Sequence, residues 1–96
     1  MDFKIVWTPL ALSQLEKIVT YLKENWSVKV QNNFFHSLSN KVELLTMFPS
    51  MGMKFSDRNY RKLLITEHSY LHYRIKGNNI ILLTIKDTRQ NTNTKN

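Results

Sequence analysis

The hydrophobic positions of the first third of the chain predict a short strand followed by a helix. Residues 3–7 alternate weakly and are rich in β-formers. Thr8 and Pro9 then form a helix start, because a Thr side chain accepts hydrogen bonds from first-turn N–H groups and Pro lacks one of those donors. The helix is predicted to run to about Asn25. Its apolar stripe has the three- and four-residue spacing of one buried face: Ala11, Leu12, Leu15, Ile18, Val19 and Leu22.

A second helix is predicted directly after the first. Ser27 is its candidate cap, and the helix ends before Pro49. The two helices are separated by two or three residues, so we expect an antiparallel hairpin whose apolar stripes face one common layer. The stripe of the second helix comprises Val30, Phe34, Leu38, Val42 and Leu45.

The second half of the chain changes from a helical period to a period of two. After an irregular loop at 48–59, strands are predicted at 60–66, 70–76 and 79–86, and the Gly77-Asn78 dipeptide favours a hairpin turn because both residues tolerate positive φ. The prediction is an α+β fold of order β-α-α-β-β-β, with an antiparallel sheet packed on the helical hairpin. It forms one domain over residues 1–90, followed by a polar tail, 91–96, that we expect to fray.

Alternation in the middle strand predicts two different sheet faces. Leu71, Tyr73 and Ile75 point one way, and Tyr70, His72 and Arg74 the other. We expect the first face to pack on the helices and the second to remain open. The core is accordingly predicted to bury Phe34, Leu38 and Val42 against Leu63, Ile65, Tyr73, Ile81 or Leu83.

The positive charge of the chain lies mostly in its second half. The net charge is +7, from 14 basic and seven acidic residues. Residues 1–50 carry five lysines against four carboxylates, whereas residues 51–96 carry nine basic residues against three. Such a distribution favours an acidic partner, either nucleic acid or protein, over a basic surface that serves only solubility.

Several classes of protein are disfavoured by what the sequence lacks. It has no cysteine, so disulfides, thiolate zinc sites and a Cys nucleophile are excluded, and a reducing cytoplasm is expected. Its N-terminal residues do not form a secretory signal, and no apolar run approaches the ~20 residues of a membrane span. The two glycines stand far apart, which excludes a nucleotide-binding loop. The carboxylates are scattered singly, so neither a metal nor another cofactor is expected.

The open sheet face offers the remaining candidate chemistry. A basic and aromatic surface can bind phosphates and stack bases. It can also catalyse metal-free RNA cleavage, which needs a base, an acid and cations against the developing charge. The alternative is an ordinary solvated sheet face. Candidate binding residues are Lys54, Arg58, Arg61, Lys62, Tyr70, Arg74 and Arg89, and candidate catalytic residues, for a ribonuclease only, are Arg61, Arg89, His68 and His72.

The order of these elements, together with particular residues, resembles the RelE/ParE superfamily of type II toxin–antitoxin toxins. The resemblance covers about residues 4–90. The residues that carry it are Val6-Trp7-Thr8-Pro9, Ala11, Leu15, Pro49, Gly52, Tyr60-Arg61-Lys62-Leu63, Tyr70, Tyr73-Arg74-Ile75, Ile80 to Leu83 and Asp87-Thr88-Arg89-Gln90-Asn91.

The resemblance implies a growth-inhibiting, plasmid-stabilising type of toxin in the cytoplasm, bound by a cognate antitoxin through an acidic or amphipathic segment. RelE-like members cleave mRNA on the ribosome with basic residues on the sheet and, in some, a C-terminal Tyr. In this sequence Arg61 and Arg89 lie near such positions, but Leu71 replaces an expected Arg and no Tyr follows Tyr73. The segments around Arg74 and Arg89 look more like the ParE-like branch, which poisons DNA gyrase by protein binding. A decayed member that binds only its antitoxin is the third alternative.

Overall fold

A computed structural model describes residues 3–55 and 59–91 of the chain. Two helices follow the first strand, and the remaining strands come after them. The elements are β1 (Lys4–Trp7), α1 (Pro9–Asn25), α2 (Val28–Met47), β2 (Met53–Lys54), β3 (Arg61–Leu64), β4 (Ser69–Lys76), β5 (Asn79–Asp87) and α3 (Thr88–Asn91). The predicted α+β fold, a helical hairpin followed by a sheet, is confirmed.

Both long helices begin where the sequence predicts. The Thr8 hydroxyl oxygen accepts a hydrogen bond from the backbone N–H of Ala11 at 3.1 Å, and Pro9 occupies the first helical position. The Ser27 hydroxyl oxygen accepts from the backbone N–H of Val30 at 3.2 Å. These caps satisfy first-turn donors that have no partner within the helix.

The five strands form one sheet in the order β1-β5-β4-β3-β2. The antiparallel pairings of β3 with β4 and of β4 with β5 form the predicted meander. Strand β2 adds a third antiparallel pairing at one edge, and β1 is parallel to β5 at the other edge. A parallel pair needs a crossover connection, and the helical hairpin is part of the chain that separates β1 from β5. Strand β2 lies within the segment predicted as a loop. Its two residues are too few to give a recognisable period.

The core lies between the helical hairpin and one face of the sheet. Phe34 and Leu38 are buried as predicted, and Val42 is half-buried against the same cluster. Tyr73 is fully buried. The buried hydrophobic set is Ala11, Ile18, Leu22, Phe34, Leu38, Leu45, Leu63, Ile65, Leu71, Tyr73, Ile80, Leu82 and Ile85.

Ile81 and Leu83, two of the residues offered as sheet partners of the helices, do not join this core. Ile81 pairs with Arg74, which lies on the face away from the helices, and Leu83 lies in a bulge of β5. Tyr73 pairs with Leu82, and the preceding residue of β4 pairs with Thr84, so Leu83 is an extra residue without a partner. The bulge shifts the alternation, and the buried apolar residues of β5 are Ile80, Leu82 and Ile85.

The cap and first turns of α1 form hydrogen bonds with the backbone around the bulge. The Thr8 hydroxyl donates to the backbone carbonyl of Leu82 at 2.8 Å and lies 3.3 Å from that of Leu83. The side-chain carbonyl of Gln14 accepts from the backbone N–H of Ile85 at 2.9 Å. The irregular part of β5 is thereby fixed to the start of α1.

The ends of β4 and β5 differ in small ways from the sequence prediction. In the connecting turn, Gly77 has φ of 59°, whereas Asn78 does not adopt positive φ. Residues 88–91 form the short helix α3, and the rest of the predicted tail lies outside the described residues. The domain boundary at residue 90 therefore stays a prediction. Within the described ranges, neither long helix combines the length and apolarity needed to cross a bilayer.

Candidate functional site

The face of the sheet away from the core carries a basic and aromatic surface. Burial alternates along β4 as predicted, with Leu71 and Tyr73 buried while Tyr70, His72 and Arg74 are partly exposed. Lys62 pairs with His72 across β3 and β4, so it lies on the same face. We call the group Lys62, Tyr70, His72 and Arg74 the open-face group.

Aromatic rings surround His72 on this face. The His72 ring centroid lies 5.1 Å from that of Tyr60, 5.4 Å from that of Tyr70 and 5.7 Å from that of Phe55. Nδ1 of His72 is 3.0 Å from the Thr84 hydroxyl oxygen. The Lys62 ammonium lies 4.2 Å from the Tyr70 ring centroid, within the range of a cation–π interaction. These contacts fix the orientation of the rings. A planar group could stack on this aromatic surface, or an apolar segment could pack against it.

His72 is held in its neutral form by its surroundings. Burial lowers the pKa of His72 below 6.5, and the positive charges of Lys62 and Lys86 lower that pKa further. At pH 7 the neutral form of the ring therefore predominates, and this form is a poor general acid. It remains able to accept a proton.

Arg61 does not belong to the open face, and the expectation that it clusters there is wrong. It pairs with Tyr73 on the side of the sheet that faces the core. Its Nη1 donates hydrogen bonds to the backbone carbonyls of Ser50 at 3.1 Å and Gly52 at 2.9 Å. The alternation of β3 could have predicted this position, because Arg61 and the buried Leu63 are two residues apart and therefore lie on the same face of the strand.

Tyr73 holds the same loop through its hydroxyl group. Its hydroxyl donates to the backbone carbonyl of Pro49 at 2.6 Å and accepts from the backbone N–H of Gly52 at 2.9 Å. Burial raises the pKa of Tyr73, although the Gly52 N–H and the charge of Arg61 act in the opposite direction. A Cβ on Gly52 would lie 2.8 Å from Cε1 of Tyr73 and 3.0 Å from the carbonyl oxygen of Lys62, so this loop requires glycine. Arg61 and Tyr73 together hold the loop in place.

Arg89 forms an ion pair with the buried carboxylate of Asp87, which was not predicted from the sequence. Its Nε and Nη2 donate to the two carboxylate oxygens of Asp87 at 3.0 and 2.8 Å, and its backbone N–H donates to the same group at 2.9 Å. The Asp87 side chain is 0% exposed and that of Arg89 is 14% exposed. Hydrogen bonding to Asp87 raises the pKa of Arg89. The proximity of the two residues in sequence was the available signal, because the short helix α3 begins directly after Asp87 and keeps Arg89 beside it.

Arg89 contacts the C-terminal half of α1 and the residue that follows this helix. The Tyr21 hydroxyl donates to the Arg89 carbonyl at 3.1 Å, and the Arg89 guanidinium lies 5.6 Å from the Trp26 ring centroid. His68, in the turn between β3 and β4, shares a cavity of about 360 Å³ with Arg89 and Trp26. Nε2 of His68 is 3.2 Å from a carboxylate oxygen of Glu67.

The four candidate catalytic residues are therefore distributed over different surfaces. His68 and Arg89 lie at the beginning of β4, where the backbone N–H of Thr88 donates to the His68 carbonyl. Arg61 lies opposite Tyr73, about 13 Å further along that strand. His72 projects from the other face. A single phosphate contacts only groups within hydrogen-bond reach, so this arrangement does not assemble all four around one bond.

The other candidate binding residues lie near the end of β4. Lys54 is exposed on β2 and pairs with Arg61. Lys54, Arg61 and Arg74 line a pocket of about 150 Å³. Arg58 lies outside the described residues. Among residues 3–55 and 59–91, no three His, Asp or Glu side chains are grouped as a metal site would require.

Comparisons with known proteins identify the fold of the chain and the family whose model it matches. The family model described as "ParE toxin of type II toxin-antitoxin system, parDE" matches residues 5–92. A chain of the chromosomal ParDE toxin–antitoxin system from P. aeruginosa superimposes with a TM-score of 0.72 and 18% identity, over 88% of this chain and 95% of that one. The comparison with curated protein sequences found no significant match.

Two further solved structures share the fold at lower similarity. YoeB from Staphylococcus aureus, described as a dimer, matches with a TM-score of 0.62 and 14% identity, over 90% of this chain and 97% of that one. A mutant form of YafQ from E. coli matches with a TM-score of 0.59 and 10% identity, over 92% of this chain and 96% of that one. At these identities the likeness concerns the fold alone.

Proposed function

Because this chain belongs to the ParE toxin family of type II toxin–antitoxin systems, we propose that it inhibits DNA gyrase by protein binding and performs no catalysis itself. The proposal rests on one observation: the candidate catalytic arginines already form hydrogen bonds with other groups of the protein. Arg89 is paired with buried Asp87, and Arg61 donates to two loop carbonyls. Neither is presented together with His72 to a substrate phosphate.

The open-face group is the proposed contact surface for the target. It combines the positive charge of Lys62 and Arg74 with the rings of Tyr70 and His72. Aromatic and Arg side chains are the residue types that contribute most to protein interfaces. Lys62→Glu should weaken gyrase inhibition about tenfold through reversed charge. The matched variant Lys17→Glu makes the same change on the exposed side of α1 and should leave inhibition unaltered.

An mRNA endonuclease is the alternative function, and the ring cluster around His72 is the observation that favours it. Stacking of bases on such rings, with lysines beside them, is a common mode of single-strand binding. In this alternative His72 serves as the base, since its lowered pKa leaves it neutral at pH 7.

Two assays of the purified protein distinguish these functions. We expect inhibition of gyrase-catalysed DNA supercoiling and no cleavage of mRNA on ribosomes. Ribosome-dependent cleavage that is lost in His72→Ala, without inhibition of supercoiling, would contradict the proposal. Arg61→Ala serves as a second nuclease test, because loss of one charge stabiliser in a working nuclease costs about 10²-fold or more.

Membership in a type II system implies an antitoxin partner. We propose that its acidic or amphipathic segment covers the open-face group or pairs with an edge strand of the sheet. Covering that face would also exclude the target and so neutralise the toxin. Association should slow as salt rises from roughly 50 to 500 mM, because charges steer the encounter. An association rate that does not change with salt would place the antitoxin elsewhere.

A further inference from the structure

His72 lies at the centre of the open face. It pairs with Lys62 of β3 on one side and with Thr84 of β5 on the other. Its Nδ1 is 3.0 Å from the Thr84 hydroxyl oxygen, and three aromatic rings pack around the imidazole. Imidazole is the side chain whose charge ordinarily changes nearest to neutral pH. The charge of the open face near neutral pH therefore depends on whether this ring is protonated.

The groups that face His72 contribute positive charge and no negative charge. They come from β3, β4, β5 and the segment before β3, and among the described residues they are Lys62, Tyr70, Arg74, Thr84, Lys86, Phe55 and Tyr60. Three of them are cations and none is a carboxylate. Burial of the ring and the charges of Lys62 and Lys86 lower the pKa of His72. An anion that stabilises the protonated ring would have to come from a partner.

The second ring nitrogen of His72, Nε2, is open to such a partner. The described residues form a hydrogen bond with Nδ1 and none with Nε2. Within the described ranges, the one buried side-chain nitrogen or oxygen without a hydrogen-bond partner is Nε of Arg74, so Nε2 of His72 is not buried. A carboxylate oxygen can therefore approach Nε2 from solvent.

A carboxylate beside His72 changes the protonation of the ring. An opposite charge within ~4–6 Å favours the charged form of a titratable group, so the pKa of His72 rises when the carboxylate binds. In the protonated ring Nδ1–H donates to the Thr84 hydroxyl and Nε2–H donates to the carboxylate, so both donors have acceptors. A group that holds its proton more tightly in the complex makes the complex tighter as pH falls.

We propose that His72 takes up a proton when carboxylates of the antitoxin segment cover the open-face group, and that the toxin–antitoxin complex consequently tightens as the pH falls. The proton comes from solvent and stays on the ring while the complex lasts. This inference rests on the proposed docking of an acidic segment on the open face. It does not depend on the target of the toxin, so the supercoiling assay neither supports nor contradicts it.

A poly-L-glutamate peptide of about 20 residues is the probe for the acidic segment, since its carboxylates stay ionised between about pH 6 and pH 8. Calorimetry measures its affinity for the full chain at both ends of this range and at constant ionic strength. Binding to the wild-type protein should be about threefold to tenfold tighter at the lower pH. The binding heat should also depend on the buffer, because the buffer supplies the proton.

Two histidine variants assign the proton to its residue. His72→Gln keeps a polar side chain that cannot be protonated, so its affinity should change less than about twofold over the same pH range. His36→Gln removes an exposed histidine of α2 and should retain the full pH dependence. The pKa of His72, followed by ¹H–¹⁵N NMR of its ring, should rise when the peptide saturates the wild-type protein.

Two lysine variants locate the peptide. Lys62→Gln should weaken binding at both pH values, whereas Lys17→Gln, on the exposed side of α1, should leave it unchanged. Failure of the peptide to bind, or an equal loss in both lysine variants, would contradict the docking on the open face and the inference with it. Equal affinity of the wild-type protein at both pH values, or an unchanged pH dependence in His72→Gln, would overturn the inference alone.

Discussion

Two arginines, one near each end of β4, have opposite electrostatic environments. At its beginning, Arg89 donates twice to the carboxylate of Asp87, and this carboxylate is completely buried. At its other end, Arg74 has a buried Nε with no hydrogen-bond partner among the described residues, and it lines a pocket beside two more cations. The first arginine is paired within the fold, whereas the second has a donor for which the described residues supply no acceptor.

This difference shows that basic residues in a sequence do not all contribute available positive charge. Arg61 lies between the two extremes, since its Nη1 is used by the loop carbonyls of Ser50 and Gly52. A net charge of +7 therefore overstates what a partner meets at any one place. Substitutions can test which arginines are already paired within the protein and which are available to a partner.

The largest effect is expected from removing the partner of Arg89. Asp87→Asn should lower the free energy of unfolding by about 3–5 kcal/mol, because it leaves a largely buried cation without its counter-ion. Urea denaturation measures this change. The double variant Asp87→Asn/Arg89→Gln should recover part of the loss. A loss below about 1 kcal/mol for Asp87→Asn would mean that the pair is no more than a surface ion pair.

A smaller effect is expected from the loop that holds Arg61. Gly52→Ala should cost about 1–3 kcal/mol, because its Cβ would meet Tyr73 and the carbonyl oxygen of Lys62 at 3.0 Å or less. Gly77→Ala is the control, since a Cβ there meets nothing within 4 Å and only its positive φ is strained, at about 1–2 kcal/mol. Chemical denaturation should detect both changes. A fully tolerated Gly52→Ala would show that the loop is not tightly anchored.

The pH dependence of stability should report the environment of His72. Its pKa is lower in the folded protein than in the unfolded chain, so the unfolded state binds more protons below about pH 6.5. Stability contributed by neutral His72 is present above that pH and is lost as pH falls towards the folded pKa. The free energy of unfolding, measured from pH 7.5 to 5, should fall less in His72→Gln than in the wild type. Identical pH profiles would contradict the lowered pKa.

The smallest change in stability is expected at Arg74. Arg74→Gln removes a buried donor that has no partner in the part of the chain that the structure describes, so the free energy of unfolding should stay within about 0.5 kcal/mol of wild type or rise slightly. Arg89→Gln is the matched substitution at the other end of β4 and should be clearly destabilising. If both variants lose stability equally in thermal unfolding, the two arginines do not differ as described.

Most of the fold follows from local sequence patterns. The caps at Thr8 and Ser27, the two helical stripes and the alternation of β4 depend on neighbouring residues only, and they predicted the elements correctly. The phase of β5 could not be predicted in this way. Its bulge at Leu83 is bonded by Thr8 and is followed by the bond from Gln14 to Ile85, all contacts between distant parts of the chain.

The candidate site was predicted less completely, because residue type does not reveal which partners a side chain has already found. Lys62, Tyr70, His72 and Arg74 were placed on one face by the period of two, and they lie there. Arg61 was predicted to lie with them, although the same period assigns it to the opposite face. The prediction also missed Asp87 as the counter-ion of Arg89 and Tyr73 as the anchor of the loop at Gly52.

Gyrase inhibition by the double variant His68→Ala/His72→Ala tests the account most directly. The proposal requires no proton transfer, so the purified variant should inhibit DNA supercoiling at a concentration within about threefold of the wild-type protein, a difference of less than ~1 kcal/mol. Circular dichroism establishes that the variant is folded. Loss of inhibition in a folded variant, or cleavage of mRNA by the wild type that this variant no longer performs, would contradict a toxin that acts by binding alone.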